Sequence, residues 1–268
     1  MNLKPPLPRE HGAWAMLTVP LSLGLVIAPA WHNRALVLVV AALVFFLARF
    51  PLATLVKTRR RRNPGRFDQW QWVAVYSGVT LLSGAWLVLA QGLGWLAPLG
   101  LVGGLLLGYH LWLVARREEM SIGGEVAGIG GLALGAPLAY YAASGQLDRT
   151  AAALWLVNAL YFSGTVFYIK LKVRQQPRLP APDHLVERLI KAKACLAYQT
   201  AALTLVIALA AFRQAPVLTL LAFAPATVKV LVGAGRWQDK QSLNLVRLGL
   251  TELFHALAFA GLVIIAFV

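Results

Sequence analysis

The sequence predicts an all-α, polytopic membrane protein with nine transmembrane helices. Its 268 residues are 59% hydrophobic and only 13% charged, which differs from the composition of a soluble domain. Apolar segments of about 20 residues recur along the chain, and this is the length that a helix needs to cross a bilayer. Basic residues gather in alternate loops, as they do in multi-pass membrane proteins.

The predicted helices follow one another along nearly the whole chain. They span residues 12–30, 34–56, 70–90, 94–114, 124–142, 150–170, 193–212, 215–233 and 244–267. Because these segments use most of the sequence, we expect residues 1–268 to form a single transmembrane domain. Glycines at four-residue spacing predict close packing of spans four and five: Gly100, Gly104 and Gly108 in the former, Gly124 with Gly128 and Gly131 with Gly135 in the latter.

The net charge of +15 is distributed unevenly between the two sides of the predicted membrane domain. One set of loops holds Lys57, Arg59 to Arg62, Arg66, Arg116, Arg117, Lys170, Lys172, Arg174, Arg178, Lys229, Arg236, Lys240 and Arg247, and the other holds Arg34, Arg149 and Arg213. This asymmetry predicts a bacterial cytoplasmic (inner) membrane protein with a cytoplasmic N-terminus and an external C-terminus. Membrane lipids are expected partners of the basic side. No recognition motif accompanies the basic loop, which argues against a nucleic-acid partner.

A shift of the sequence by 115 residues aligns charged residues at equivalent places in the helix order. The aligned pairs are Glu10 with Glu125, Arg34 with Arg149, Lys57 with Lys172, Arg59 with Arg174 and Asp68 with Asp183. They predict two parallel four-helix repeats, residues 10–117 and 122–236, followed by a ninth helix at 244–267. Since each repeat crosses the membrane an even number of times, the copies are related by an axis along the membrane normal. The alternative is an accidental alignment of basic flanks.

The segment PREHGAWAML opens the first span with three charged or titratable side chains. With this motif ahead of nine predicted spans, the chain resembles the YwiC-like family of bacterial membrane proteins. Its architecture also resembles that of UbiA-type membrane prenyltransferases. That resemblance implies nine helices, a cytoplasmic N-terminus and a central cavity open to lipid. In those enzymes, Asp-rich motifs at the cytoplasmic ends of helices two and six hold Mg²⁺ and a prenyl diphosphate.

The sequence departs from that pattern at both motif positions. Span two ends in FFLARFPLATLVKTRRRR and span six in YFSGTVFYIKLKVRQQ, and neither stretch contains Asp or Glu. Because Mg²⁺ is held by carboxylate and phosphate oxygens, we expect no metal site and no cofactor here. Whether the protein is an enzyme stays open at this point. If it is one, it is a membrane-embedded transferase that does not use Asp-bound magnesium.

Basic residues within or beside the spans are the candidates for binding an anion. Arg49 lies well inside span two, where a charge costs about 2.5–3.5 kcal/mol and favours a partner or a wet cavity. The alternative is that it extends to the membrane surface. The remaining substrate-binding candidates are Arg9, Lys57, Lys170, Lys172 and Asn158. Lys172 has a second interpretation as a lipid-headgroup anchor, and Asn158 as an interhelical hydrogen-bonding residue.

The candidate catalytic residues, which suit proton transfer, are Glu10, His11, Glu125, Glu252 and His255. Glu10 and Glu125 lie at the starts of spans one and five and also suit the positive ends of helix dipoles. Glu252 and His255 are three residues apart on span nine and therefore share a face. They form either a proton relay or, with Arg49 at about the same depth, a structural Glu252–Arg49 ion pair.

Three functional hypotheses follow from these features. The first is a cytoplasm-facing cationic cavity that binds an anionic amphiphile, a lipid or isoprenoid-like molecule, in a divergent UbiA-like transferase. The second is a transporter or exporter of a small anionic solute. The third is a non-enzymatic membrane partner subunit. Neither the substrate nor the oligomeric state follows from the sequence.

Overall fold

A computed structural model describes residues 11–59, 66–237 and 244–268. This part of the chain is almost entirely helical. Its α-helices are α1 (His11–Ile27), α2 (Arg34–Lys57), α3 (Arg66–Ala85), α4 (Leu96–Arg116), α5 (Ile122–Ala133), α6 (Gly135–Ser144), α7 (Arg149–Ile169), α8 (Leu185–Lys191), α9 (Lys193–Ala211), α10 (Thr219–Gly235) and α11 (Leu245–Phe267). The predicted all-α class is therefore confirmed for the described residues.

Seven helical segments in the described ranges are long and apolar enough to cross a membrane. They are Arg34–Lys57, Asp68–Ala90, Leu96–Arg116, Ile122–Ser144, Arg149–Arg178, Lys193–Ala211 and Leu245–Phe267. The protein is thus a polytopic membrane protein, but the predicted count of nine spans is not confirmed. The other two apolar helices, α1 and α10, have 17 residues each. At 1.5 Å per residue they are about 25 Å long, short of the roughly 30 Å hydrocarbon core.

Three of the long segments are not regular α-helices from end to end. Asp68–Ala90 finishes in a π-helical turn, Trp86–Ala90. Ile122–Ser144 consists of α5 and α6, which meet at Leu134. Arg149–Arg178 extends α7 through a π-helical stretch, Lys170–Gln175, and a 3₁₀ turn, Gln176–Arg178. Since π-helical turns are frequent at functional sites, the end of α7 is of particular interest.

The chain forms two compact units, residues 1–155 and 156–268, and α7 begins in one and ends in the other. In the first unit, α1 packs on α6 so closely that a Cβ added at Gly24 would collide with the carbonyl oxygen of Ala136. Gly124 and Gly131 approach Leu113 and Leu106 on α4, and Gly135 approaches Leu21 on α1, as predicted. The packing predicted for Gly128 is wrong, because a Cβ there would meet nothing within 4 Å in the part of the chain that the structure describes. The packing predicted for Gly100, Gly104 and Gly108 is wrong within the described chain, where a Cβ at any of them would meet nothing within 4 Å.

In the second unit, α10 packs against α9 and α11 around an aromatic cluster. Tyr161 stacks on Phe259, with ring centroids 3.8 Å apart and planes 13° apart. Phe162 and Phe223 meet the Tyr161 ring edge-on. All four rings are buried. They therefore hold the end of α7 in a fixed orientation toward α10 and α11. The predicted four-helix repeats stay a prediction.

Candidate functional site

The most deeply buried ion pair in the described residues joins two apolar helices of the second unit. Lys229 of α10 places its Nζ 2.8 Å from both Oε1 and Oε2 of Glu252 on α11. The two side chains are only 7% and 13% exposed. Each lies six or seven residues inside its helix, at a depth of about 10 Å. Such a pair is expensive to bury and marks a functional site by default in a membrane protein.

Other polar and titratable groups surround this ion pair. The Lys229 ammonium lies 4.7 Å from the centre of the Tyr168 ring, within the range of a cation–π interaction. The further titratable neighbours are Tyr161 on α7, Cys195 on α9 and Lys172 in the π-helical stretch, with His255 one turn along α11. The pair therefore sits in a polar cluster inside an otherwise apolar helix bundle.

A small cavity adjoins Lys229. Its polar lining comes from Tyr161, Thr165, Gln199 and Lys229, and the rest of the wall is apolar or glycine. Its volume is about 10 Å³, the space that one water molecule needs. Tyr161 is 4% exposed, and its hydroxyl has no hydrogen-bond partner among the described residues. A buried hydroxyl held beside a cavity in this way is suited to a ligand in the cavity.

Lys172 lies in the π-helical stretch that follows α7 and is 6% exposed. Its Nζ donates to Gln176 Oε1 and to the carbonyl oxygens of Gly233 and Arg236, each at 2.9 Å. Gln176 Nε2 donates to the Gly233 carbonyl as well. These carbonyls belong to the C-terminal end of α10, which has no intrahelical donors for them. Lys172 thus anchors the helix that carries Lys229, and its prediction as a lipid-headgroup anchor is wrong because the side chain is buried.

In the first unit, the half-buried Arg49 of α2 donates from Nε to Nε2 of His110 on α4, at 3.0 Å. His110 is 7% exposed and accepts this bond as a neutral imidazole with its proton on Nδ1. The Arg49 guanidinium also lies 5.9 Å from the ring of Phe50. The structure therefore supports the prediction that Arg49 points to a partner in the helix bundle over the prediction that it extends to the surface.

Lys57, at the end of α2, forms a more exposed ion pair. Its Nζ is 2.8 Å from Oε1 of Glu119, and the side chains are 55% and 22% exposed. Glu119 lies between α4 and α5, outside the membrane-spanning segments. The hydrogen bond from Lys57 is the main reason why the pKa of the Glu119 carboxyl lies below its ordinary value of 4.5. This pair closes the end of α2 against the loop that precedes α5.

The other predicted site residues are distributed over both units or lie beyond the described ranges. Arg9, Glu10 and the side chain of His11 lie outside the described residues. Glu125 is in the first turn of α5, whose N-terminus is capped by the Ser121 hydroxyl. Asn158 is fully buried on α7, and Lys170 begins the π-helical stretch. His255 donates from Nδ1 to the carbonyl of Thr251, 2.7 Å away. No group of three or more metal-ligating His, Cys, Asp or Glu residues occurs in the described ranges.

The structure corrects one predicted partnership and adds residues that the sequence reasoning missed. Glu252 pairs with Lys229 through both carboxylate oxygens, so the predicted Glu252–Arg49 ion pair is wrong. The charge pattern assigns Lys229 to a basic loop, although the sequence AFAPATVKVLVGAG places it within an apolar run. A single lysine within an apolar run is the sequence feature that indicates a buried charge at this position. Tyr161 gave no comparable signal, because a buried tyrosine without a hydrogen-bond partner has no sequence signature.

Fold and site together define a polytopic, all-helical membrane protein with a buried ion pair. The model of the YwiC-like protein family matches residues 7–140, half of the chain. The chain therefore belongs to the YwiC-like family. It is also 29% identical over 184 residues to the uncharacterized protein YwiC of Bacillus subtilis (strain 168), which covers 65% of this chain and 70% of that protein. No solved structure matches the chain.

Proposed function

We propose that this protein is a membrane transporter that moves a small anion together with a proton, with Lys229 and Glu252 as the pair that responds to both. The buried Lys229–Glu252 ion pair beside a polar cavity is the observation that carries the proposal. Intramembrane ionisable residues that pair with one another mark ion pathways and proton relays in transporters. The pair and its cavity therefore support the sequence hypothesis of anion transport.

The chemistry of the pair supplies the coupling. While Glu252 is ionised, its carboxylate occupies Lys229 and balances the ammonium charge. A proton that binds to Glu252 removes that balance and leaves a buried positive charge, which is costly in a medium of low dielectric constant. A small anion that enters beside Lys229 restores the balance. The proton and the anion therefore favour each other's binding and leave together.

Several other titratable or charged groups lie near the pair and bear on its response to pH. Tyr161, Tyr168 and Cys195 face it from α7 and α9, His255 follows on α11, and Lys172 lies at the end of α7. None of them is a second carboxylate. Glu252 is thus the carboxylate in this cluster that can exchange a proton for an anion, and the His255 imidazole is a second group that can take up a proton. Acidification should accordingly raise both anion binding and transport.

Reconstituted liposomes test this proposal. The wild-type protein should move a small anion inward when the outside is held at about pH 5 and the inside at about pH 8, and the reversed gradient should reverse the flux. Lys229→Met should abolish the flux. Glu252→Gln should retain anion movement and lose its dependence on the pH gradient, because a glutamine cannot take up the proton.

Two matched variants separate transport from structural damage. Lys57→Met also removes a lysine from an ion pair with a glutamate, but from the exposed pair of the first unit, and it should leave the flux unchanged. The exchange Lys229→Glu with Glu252→Lys keeps a pair in the same place if Lys229→Met does not fold. Wild-type protein that is correctly folded in liposomes and moves no anion under either gradient contradicts the proposal.

A second candidate function, binding of an anionic amphiphile, is favoured by one surface of the first unit. On α4, Tyr109 and Trp112 stack with ring centroids 5.7 Å apart, and Arg116 lies 3.9 Å above the Trp112 ring. Both aromatic side chains are more than 40% exposed. Aromatic rings with an adjacent guanidinium suit the headgroup region of a membrane. The sequence-based hypothesis of a divergent UbiA-like transferase belongs with this second candidate, because such a transferase also binds an anionic amphiphile.

Native mass spectrometry of the protein in mild detergent tests this second candidate. Wild-type protein should retain an anionic lipid, and Arg116→Ala should retain less of it. Arg49→Ala is the comparison that decides whether a bound headgroup extends to the Arg49–His110 contact inside the bundle. Lipid retention that is equal in all three proteins would rule out a specific amphiphile site at these residues.

A further inference from the structure

We infer that the cavity lined by Tyr161, Thr165, Gln199 and Lys229 is a binding site for a single monovalent anion of halide size. The inference rests on the proposed function, because it names the ligand class and the place where the anion meets the Lys229–Glu252 pair. All the residues concerned belong to the second unit, and the cavity directly adjoins the Lys229 side chain.

The lining of the cavity is rich in hydrogen-bond donors. Tyr161 contributes a hydroxyl that is buried and makes no hydrogen bond to any described residue. Its ring is held by the stack on Phe259 and the edge contacts with Phe162 and Phe223, which fix the position of the hydroxyl oxygen. Lys229 contributes an ammonium group with three N–H donors. Its two contacts with the Glu252 carboxylate do not use all three.

The other two polar residues of the wall are held in place by their own contacts. Thr165 Oγ1 donates to the carbonyl of Phe162, and Gln199 Nε2 donates to Thr227 Oγ1 on α10. The amide group of Gln199 carries a second hydrogen that this contact does not use. The Tyr161 hydroxyl and the Lys229 ammonium therefore supply the donors beside this small space, and donors stabilise a negative charge.

Charge and size together select the ligand class. The cavity wall contains no carboxylate, since Glu252 approaches Lys229 without lining the cavity, and a positive ammonium repels cations. The volume of about 10 Å³ is that of one water molecule, which excludes phosphate, sulfate and carboxylic acids without a rearrangement of the helices. A fluoride ion combines the required charge with the size of a water molecule, and the larger chloride and bromide ions fit if the apolar side chains of the wall move slightly outward.

Thermal unfolding of the purified full-length protein in detergent tests this inference. The midpoint is measured in sodium chloride, bromide, fluoride and gluconate at equal ionic strength, at about pH 5 and about pH 8. The account predicts that at least one halide raises the midpoint in a saturable manner, more at the lower pH, whereas gluconate does not. Tyr161→Phe should weaken the apparent halide affinity by about tenfold, equivalent to one charge-assisted hydrogen bond.

Tyr76→Phe is the matched control, because Tyr76 is a buried tyrosine of the first unit whose hydroxyl also lacks a partner among the described residues. Its halide response should equal that of the wild type. If Tyr161→Phe does not fold, Thr165→Val provides a second change in the cavity wall. Midpoints that respond equally to all four salts, or equally in wild type and Tyr161→Phe, overturn the inference and indicate a cavity that holds water alone.

The liposome experiment distinguishes this result from a failure of the proposed function. Proton-coupled flux of a larger anion, without any halide effect on unfolding, overturns the halide site and leaves proton-coupled transport in place. A halide effect that Tyr161→Phe abolishes, in a protein that moves no anion in liposomes, supports the binding site and contradicts transport.

Discussion

The two units of this protein each pair a lysine with a glutamate, but in opposite surroundings. Lys57 and Glu119 meet at the end of α2 with side chains 55% and 22% exposed, whereas Lys229 and Glu252 are 7% and 13% exposed between α10 and α11. The Nζ-to-oxygen distance is 2.8 Å in both pairs. Two ion pairs of equal geometry are therefore expected to differ in the free energy of unfolding that is lost when one partner is removed, because this loss depends on the surrounding dielectric constant.

Lys172 extends this comparison to a lysine without a carboxylate partner. It aligns with Lys57 under the predicted repeat, yet it is buried and donates to one side-chain amide and two backbone carbonyls. The first unit thus leaves its lysine at the surface, and the second unit places two lysines in its interior. This difference makes the second unit the one in which changes of charge should have large effects.

The largest effect is expected from removal of the buried ammonium. Lys229→Met leaves the Glu252 carboxylate buried without its partner and should lower the free energy of unfolding by about 3–5 kcal/mol. Denaturant titration of the protein in detergent measures this loss. The double variant Lys229→Met with Glu252→Gln should be more stable than Lys229→Met alone, because no uncompensated charge remains. A loss no larger than that caused by Lys57→Met would remove the distinction between the two units.

An intermediate effect is expected at Lys172. Lys172→Met removes three hydrogen bonds and leaves the carbonyls of Gly233 and Arg236 with fewer donors at the end of α10. The free energy of unfolding should fall by about 2–3 kcal/mol in the same titration. Lys193→Met, which changes an exposed lysine at the start of α9, is the control and should stay within about 0.5 kcal/mol of the wild type. Equal losses in the two variants would show that Lys172 does not anchor α10.

The smallest effect is expected at the exposed pair. Lys57→Met should lower the free energy of unfolding by at most about 1 kcal/mol, since the Lys57 side chain is more than half exposed. Because the pKa of Glu119 is lower in the folded protein than its ordinary value of 4.5, the pair contributes fully above that value and loses its contribution as the pH falls through the folded pKa. Unfolding measured against pH should therefore show the difference between wild type and Lys57→Met shrink on acidification. A difference that grows on acidification would contradict the assignment.

Much of the fold was predictable from the sequence, because long apolar runs and alternating basic loops follow directly from the physics of the bilayer. α2 begins at Arg34 and α7 at Arg149, and the sequence predicts that spans two and six begin at residues 34 and 150. The count of spans was less accessible. Whether the 17-residue helices α1 and α10 cross the membrane depends on tilt and neighbours, which hydropathy does not contain.

The site was only partly predictable. Glu252 stood out because acidic residues in apolar spans are rare and costly, but its partner did not, because Lys229 lies 23 residues away and on another helix. Arg49 was likewise identified as a buried charge, whereas its contact with His110 required the packing of α2 against α4. A single sequence identifies the charged residues whose burial is energetically costly. It does not identify which of these side chains are in contact.

The central claim is that proton binding at Glu252 and anion binding at Lys229 are one linked event. It is tested most directly by the number of protons that the purified protein takes up from a lightly buffered solution when chloride is added at about pH 5. The account predicts net proton uptake by the wild type on chloride addition and a clearly smaller uptake by Glu252→Gln. Chloride binding without proton uptake, or equal uptake in both proteins, would contradict it.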